Sequence, residues 1–352
     1  MSELWQLACS NRASSLRNKI ISFHSFLLYR TALKIVNIIL QMFIGVYNYL
    51  PSNVRLYQKI MNRKDFLKSL ALLPLAGTAM QLNDLNKLTE NFGPTDQMPV
   101  LFVGHGNPMN AITDNMYSKS WVEMGKKLPL PKAILCISAH WLTNGTAVTM
   151  TDKPKTIHDF GGFPEELFAV QYPAPGAPDY AKMAMSSVAS TKVHEDFEWG
   201  LDHGAWSVLK NMYPKANVPI FQMSIDYGKS PQYHFNLAKE LAVLRNKGVL
   251  IVASGNVVHN LGMLSWGTTE KKFDWAIEFD DLVKKSIEDN NPTPLIEYQK
   301  LGQIATMAHP TNDHYLPLMY AVGLRSKTDK FEFFNNTFDL GSISMRSVIF
   351  NS

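Results

Sequence analysis

Two cysteines in 352 residues, Cys9 and Cys136, exclude a disulfide scaffold, and no Cys-x-x-Cys or Cys/His finger spacing is present. Charge is also scarce: 18% of residues are Asp, Glu, Lys or Arg, against about 25% in an ordinary globular chain. The net charge of +4 is unevenly spread. Residues 1–60 hold 7 Lys and Arg against 1 acidic residue, whereas 97–352 hold 23 against 25. The larger part therefore has no basic excess, which argues against nucleic-acid binding there. No internal repeat, GxGxxG, phosphate-binding loop, GxSxG or HExxH occurs, so the common dinucleotide, nucleotide, esterase and metalloprotease signatures are missing.

The apolar run Ile35–Tyr47 is too short to span a bilayer comfortably. With Arg30 and Lys34 beside it, the basic, partly apolar extension 1–60 reads as a surface-lying amphipathic segment, the one place where membrane contact is expected, or as no part of the natural protein. Met61 reads as a start. Arg63-Lys64 leads into an apolar stretch that ends in small residues near Ala79, so 61–80 has a signal outline. Its charged start resembles a twin-arginine export signal with Lys in the second place. Residues 81–97 are polar and read as a linker, and a single large domain is expected over 98–352.

Within that domain, strand-like and helix-like segments alternate. Strands are expected at 99–104, 133–138, 147–151, 218–225, 249–255, 331–336 and 343–350. Helices are expected at 113–127, from Asp179, from Pro231 to about Gly248, over 270–289 and after Pro317. This pattern predicts an α/β fold with a mostly parallel or mixed central sheet flanked by helices. Cys136, inside one apolar run, reads as inert filler.

Three of the apolar runs lead to a histidine: Pro99–Val103 to His105, Ala133–Ile137 to His140, and Val249–Ala253 to His259. Short continuous apolar runs read as strands buried on both faces. In open α/β sheets the crevice beyond the carboxyl ends of the strands holds the ligand. Three strands would thus bring imidazoles to one crevice, as a metal or proton-transfer site requires. A lone histidine after a strand is more often a hydrogen-bonded loop residue; the repeated placement favours function. Of the others, His24 lies in the extension, His194 and His234 read as solvated on polar helices, and His309 as a loop residue before Pro310. His158 reads as either loop structure or a substrate contact.

Further motifs accompany these histidines: Gly104-His-Gly106, Ser138-Ala-His-Trp141, Ile157-His-Asp-Phe-Gly-Gly-Phe-Pro164, Tyr172-Pro-Ala-Pro-Gly176, Asp202-His-Gly-Ala-Trp206, Ser254-Gly-Asn-Val-Val-His-Asn260 and His314-Tyr-Leu-Pro-Leu318. Over about 98–350, in order and spacing, they resemble the extradiol DOPA 4,5-dioxygenases. These belong to the class III extradiol ring-cleavage superfamily, with the protocatechuate 4,5-dioxygenase catalytic subunits.

The resemblance implies His105, His140 and His314 as metal ligands. It implies His259 as the acid/base residue beside the metal, close enough to ligate in a resting form, and His203 as a hydrogen-bond donor near dioxygen. Asp313 is a minor alternative to His314, because many relatives use a carboxylate in that place. The implied partners are a catechol and dioxygen, with Fe(II) for turnover and Zn(II) plausible in isolated protein. Fe(II) can pass an electron to dioxygen, whereas Zn(II) has no redox chemistry. A bacterial cytoplasmic location goes with the family, and a periplasmic one with use of 61–80. The residues alone leave open a zinc-dependent hydrolase or a non-catalytic metal-binding protein on the same scaffold; oligomeric state is not readable from them.

Overall fold

The computed structural model describes residues 95–266 and 272–352. The chain divides into two units, Met1–Leu82 and Asn83–Ser352, and every described residue belongs to the second. The extension 1–60, the segment 61–80, the linker as far as residue 94, Cys9 and His24 lie outside the described residues. Among the described residues, no helix is long and apolar enough to cross a membrane.

The central sheet comprises β1 (Val100–Gly104), β2 (Ala133–Ser138), β6 (Ile220–Gln222), β8 (Val249–Gly255), β9 (Lys330–Phe334) and β12 (Ser347–Asn351), in the order β6-β2-β8-β1-β12-β9. The four strands from β6 to β1 are parallel, while β12 is antiparallel to both β1 and β9. The sheet is therefore mixed, as expected. Three two-stranded ribbons lie outside it: β3 (Leu142–Thr143) with β7 (Ile225–Asp226), β4 (Thr146–Thr149) with β5 (Val193–Asp196), and β10 (Phe338–Asp339) with β11 (Ile343–Ser344).

The continuous apolar runs are explained by helices on both faces of the sheet. Val100 and Phe102, Leu135 and Ile137, and Ile251 and Ala253 face one core, built with α3 (Pro178–Ser187), α5 (Pro231–Glu240), α6 (Asp274–Glu288) and α9 (Leu316–Leu324). The alternate residues Leu101 and Val103, Ile134 and Cys136, and Leu250 and Val252 face a second core. That core is completed by α1 (Met116–Lys127), the short α2 (Glu165–Phe168) and α4 (His203–Met212). Two further short helices, α7 (Thr293–Ile296) and α8 (Gln303–Ala308), pack with the first core through Leu295, Ala305 and Ala308. Cys136 is fully buried, and burial pushes its thiol well up.

Local differences from the expected elements have physical causes. The segment at 147–151 is a strand, β4, but it pairs with β5 in a ribbon outside the sheet. The helix from Pro231 ends at Glu240 and tightens into a 3-10 turn over Leu241–Lys247. Gly248, at φ 80°, then reverses the chain into β8. The run 218–225 breaks after Gln222, because Ile225 pairs instead with Leu142.

His194 is exposed, as expected, but on β5 rather than on a helix. His234 is not solvated. It is fully buried on the face of α5 that carries Phe235, Leu237 and Ala238, with Nδ1 3.1 Å from the Tyr320 hydroxyl and Nε2 unpartnered. Burial pushes its pKa down to about 4. The folded state thus resists a proton that the unfolded chain takes up near pH 6.5. His234's share of stability is present above pH 6.5 and is lost as pH falls toward 4. We expect His234→Leu to remove about 2 kcal/mol of the stability lost between pH 7 and pH 5. Denaturant midpoints at the two pH values check this, and an unchanged acid sensitivity would refute it.

Candidate metal centre

The strand register brings the histidines together. Gly104 pairs with Gly255 and Ser138 with Ser254, so β1, β8 and β2 end level with one another. His105 follows Gly104 directly, and His140 lies two residues beyond Ser138. His203 is the first residue of α4, whose N-cap Asp202 accepts from the Ala205 N–H at 3.1 Å. Asp202 is fully buried and also takes the Ser138 hydroxyl at 2.5 Å, tying α4 to the end of β2. His314 precedes α9, and its carbonyl accepts from the Asn256 N–H at 2.9 Å. That carbonyl lies where a Cβ on Gly255 would stand, so residue 255 must be glycine for the loop to approach β8. The His259 N–H donates to Ala308 at 2.9 Å, and the residue bridges Ile343.

The structure therefore gathers all five histidines singled out in the sequence. The ring centroids of His105, His140 and His314 form a nearly equilateral triangle, with sides of 5.0, 5.2 and 4.9 Å. His203 and His259 lie against its corners. The His203 ring is 3.8 Å from that of His140, and the His259 ring stacks on that of His314 at 3.5 Å and 5°. By ligand atoms alone, His105, His140 and His203 form a group in which all lie within 4.8 Å of one another.

Their outer partners orient the rings. The Ser254 hydroxyl donates to the Gly204 carbonyl at 2.6 Å, so it accepts from His105 Nδ1 at 2.9 Å. Asp313 Oδ2 lies 3.0 Å from His314 Nδ1, while its Oδ1 takes the Thr311 hydroxyl. Asp313 thus meets His314 at its outer nitrogen. Asp159, which the sequence reading passed over, sets Oδ2 3.3 Å from His140 Nδ1. Its Oδ1 lies 3.1 Å from His203 Nδ1, at an angle too poor for an aligned hydrogen bond. The Nε2 atoms of His105 and His140 stand 3.1 Å apart.

Burial, followed by the neighbouring imidazoles, holds His105 and His314 well below the ordinary histidine pKa. Burial likewise holds His140 at about 3 and His259 at about 4. For Asp159, burial works upward, but His203 and His140 outweigh it and hold the carboxyl below its usual value. His105, His140, His259 and His314 are therefore held as neutral imidazoles, with Asp159 and Asp313 at the outer nitrogens of His140 and His314. Nitrogens this close can share one hydrogen or turn both lone pairs on one cation. The donor set fits a divalent metal.

The cluster floors a pocket of about 380 Å³. Above it stand Phe160, Phe163, Leu264, Leu340 and Ile343, with Trp266 and Leu261 exposed at the rim. His158 does not line the pocket. Its Nε2 donates to the Val170 carbonyl at 2.9 Å, and its ring packs near Phe160, Phe168 and Trp206, a loop-structural role. His309 is buried and donates from Nε2 to the Val257 carbonyl at 2.7 Å, bracing the turn that leads to His259.

A neutral imidazole cluster at the carboxyl ends of parallel strands, beneath an apolar pocket, defines a metal-dependent enzyme of small aromatic substrates. Residues 99–350 match the family described as catalytic LigB subunit of aromatic ring-opening dioxygenase; the chain belongs to that family and is an extradiol dioxygenase, which cleaves catechol rings with dioxygen. It is 44% identical over 256 residues to the 4,5-DOPA dioxygenase extradiol of Escherichia coli (strain K12), covering 72% of this chain and 94% of that one. It is 36% identical over 260 residues to the 4,5-DOPA dioxygenase extradiol of Beta vulgaris, covering 71% and 96%. The crystal structure of an uncharacterized protein from Escherichia coli K12 superposes with a TM-score of 0.64 at 40% identity, covering 72% of this chain and all of that one.

Proposed function

We propose that His105, His140 and His314 hold one Fe(II), and that the enzyme opens a DOPA-like catechol outside its diol to give a ring-opened semialdehyde. The observation that carries this is the near-equilateral triangle of the three rings, with the Nε2 atoms of His105 and His140 only 3.1 Å apart. His259 stacks face-on against His314 and His203 lies tilted beside His140, which supports roles next to the metal rather than on it. Bound Fe(II) would supply the electron that dioxygen needs and take up both catechol oxygens; Zn(II) can fill the same imidazoles but lacks that redox step.

The chain's own groups do the rest. His259, neutral and bordering the pocket, accepts the proton of the second catechol hydroxyl and later returns it. His203, on the opposite side of the triangle, donates a hydrogen bond toward the dioxygen position. Phe160 and Phe163 flank the ring and keep water from it. The 4,5-DOPA dioxygenase names of the relatives support a DOPA-like substrate.

Oxygen uptake with DOPA after reconstitution with Fe(II), and with Zn(II) in parallel, tests this reading. Consumption with iron alone is expected; equal activity with zinc, or none with iron, would refute it.

We also propose that 98–352 is the complete catalytic domain. Support comes from the buried edge. Met98 is 5% exposed, its N–H donates to the Arg245 carbonyl, and its own carbonyl takes Arg245 Nε at 2.7 Å. Arg245 is itself fully buried in a bidentate pair with Asp329 at 2.7 and 3.0 Å. A chain beginning at Thr95 keeps this edge and should bind metal at the stoichiometry of the full chain. Insoluble or metal-free protein from that start would show that the preceding residues belong to the domain.

A further inference from the structure

We propose that Asp159 is a positioning residue: its carboxylate keeps hydrogen on Nδ1 of His140, and so fixes the nitrogen that His140 presents to the metal site. The inference rests on His140 being a ligand, as proposed above. Both oxygens are engaged. Oδ2 faces His140 Nδ1 at 3.3 Å, and Oδ1 lies 3.1 Å from His203 Nδ1 while accepting the His203 backbone N–H at 2.8 Å.

The aligned donor to the carboxylate is the His203 backbone N–H, and the nitrogen facing its other oxygen is His140 Nδ1. A ring facing it with a lone pair would be repelled, whereas a ring facing it with N–H is attracted. Outer partners that set ligand tautomers are a general feature of metal sites, and their loss typically costs 10–100-fold in metal affinity. Here the same carboxylate faces a ring nitrogen of His140 and holds the backbone N–H of His203. Asp159 also immediately precedes Phe160, which lines the pocket. The same loop therefore orients the histidines and carries part of the substrate wall.

A residue that merely capped the His203 N–H would behave differently, and the order of two variants separates the roles. Asn is as good an acceptor for a backbone N–H as Asp. As a cap alone, Asp159→Asn would be nearly silent and Asp159→Ala the worse. As a tautomer-setting group, Asn is harmful, because its amide N–H₂ meets an Nδ1–H and favours hydrogen on Nε2, the ligating nitrogen. Ala admits water, which accepts from Nδ1–H.

The experiment measures Zn(II) affinity by chelator competition for the wild-type chain, Asp159→Asn, Asp159→Ala and His140→Ala. We expect Asp159→Asn to bind Zn(II) at least about tenfold more weakly, with Asp159→Ala no weaker than Asp159→Asn. Near-normal binding by Asp159→Asn beside weak binding by Asp159→Ala overturns the proposal and leaves a cap. Should neither variant fold, the Zn(II)-loaded wild-type chain decides. Its His140 Nδ1 proton should appear as a downfield, slowly exchanging imidazole resonance, and fast exchange there overturns the proposal. Full zinc stoichiometry in His140→Ala would instead sink the ligand assignment, a separate failure.

Discussion

His314→Ala is expected to lose stoichiometric metal and, with it, ring cleavage. A structural zinc site held by four ligands binds with about 10–16 kcal/mol, so one ligand corresponds to roughly 3 kcal/mol and on the order of 10²–10³-fold in affinity. The variant should nevertheless fold. The part of residue 314 that anchors its loop is the carbonyl accepting from Asn256, and that bond survives the substitution. His105→Ala and His140→Ala should behave alike, since the three rings are equivalent corners of one triangle.

The informative comparison is His203→Ala, because His203 belongs with His105 and His140 to the group closest by ligand atoms. It is expected to keep its metal, since its ring lies beside His140, tilted by 49°, rather than at a corner of the triangle. Metal content by mass spectrometry decides. Metal retained in His314→Ala and lost in His203→Ala would exchange the two roles.

Much of this site was legible because parallel strands make register predictable. The runs before His105 and His140 are apolar at every position, which only a sheet covered on both faces requires, and their ends fall level in the structure. Asp202 before His203 is a good N-cap, a local signal of the helix start that was not used. What stayed hidden depends on contacts between distant residues. Asp159 lies in a glycine-rich loop with no periodicity, 44 residues from His203, and nothing local shows that it reaches two imidazoles. The stacking of His259 on His314 joins two loops in the same way.

His234 was misread for another reason. Its sequence neighbours Gln232 and Asn236 are polar, but Pro231, Leu237 and Ala238, at helical spacing, share its buried face. The signal was present in the period, not in the local composition. β4 was placed correctly as a strand and wrongly in the main sheet. Four residues cannot reveal their partner, and β5 is equally short.

His259→Gln is expected to keep the metal and most catechol affinity while turnover falls by about 10²–10⁴-fold, the usual contribution of a positioned proton-transfer group. The geometry separates this role from the alternatives. The backbone of residue 259 is fixed by its N–H to Ala308 and its bridge to Ile343, neither of which involves the ring. Losing the imidazole should therefore leave the turn intact. The ring lies 3.5 Å above that of His314 and nearly parallel to it, so it borders the bound substrate without completing the triangle. Gln preserves much of the volume that supports His314, whereas His259→Ala opens a gap beside a ligand. Comparing the two isolates the lost proton carrier from lost support. If both lose turnover to the same extent with full iron content and little change in KM, the acid/base role stands. If metal falls in parallel with activity in both, His259 is a ligand. Near-normal turnover by the folded, iron-loaded Gln variant would remove His259 from the chemistry and leave proton transfer to His203, the other imidazole of the pocket outside the triangle.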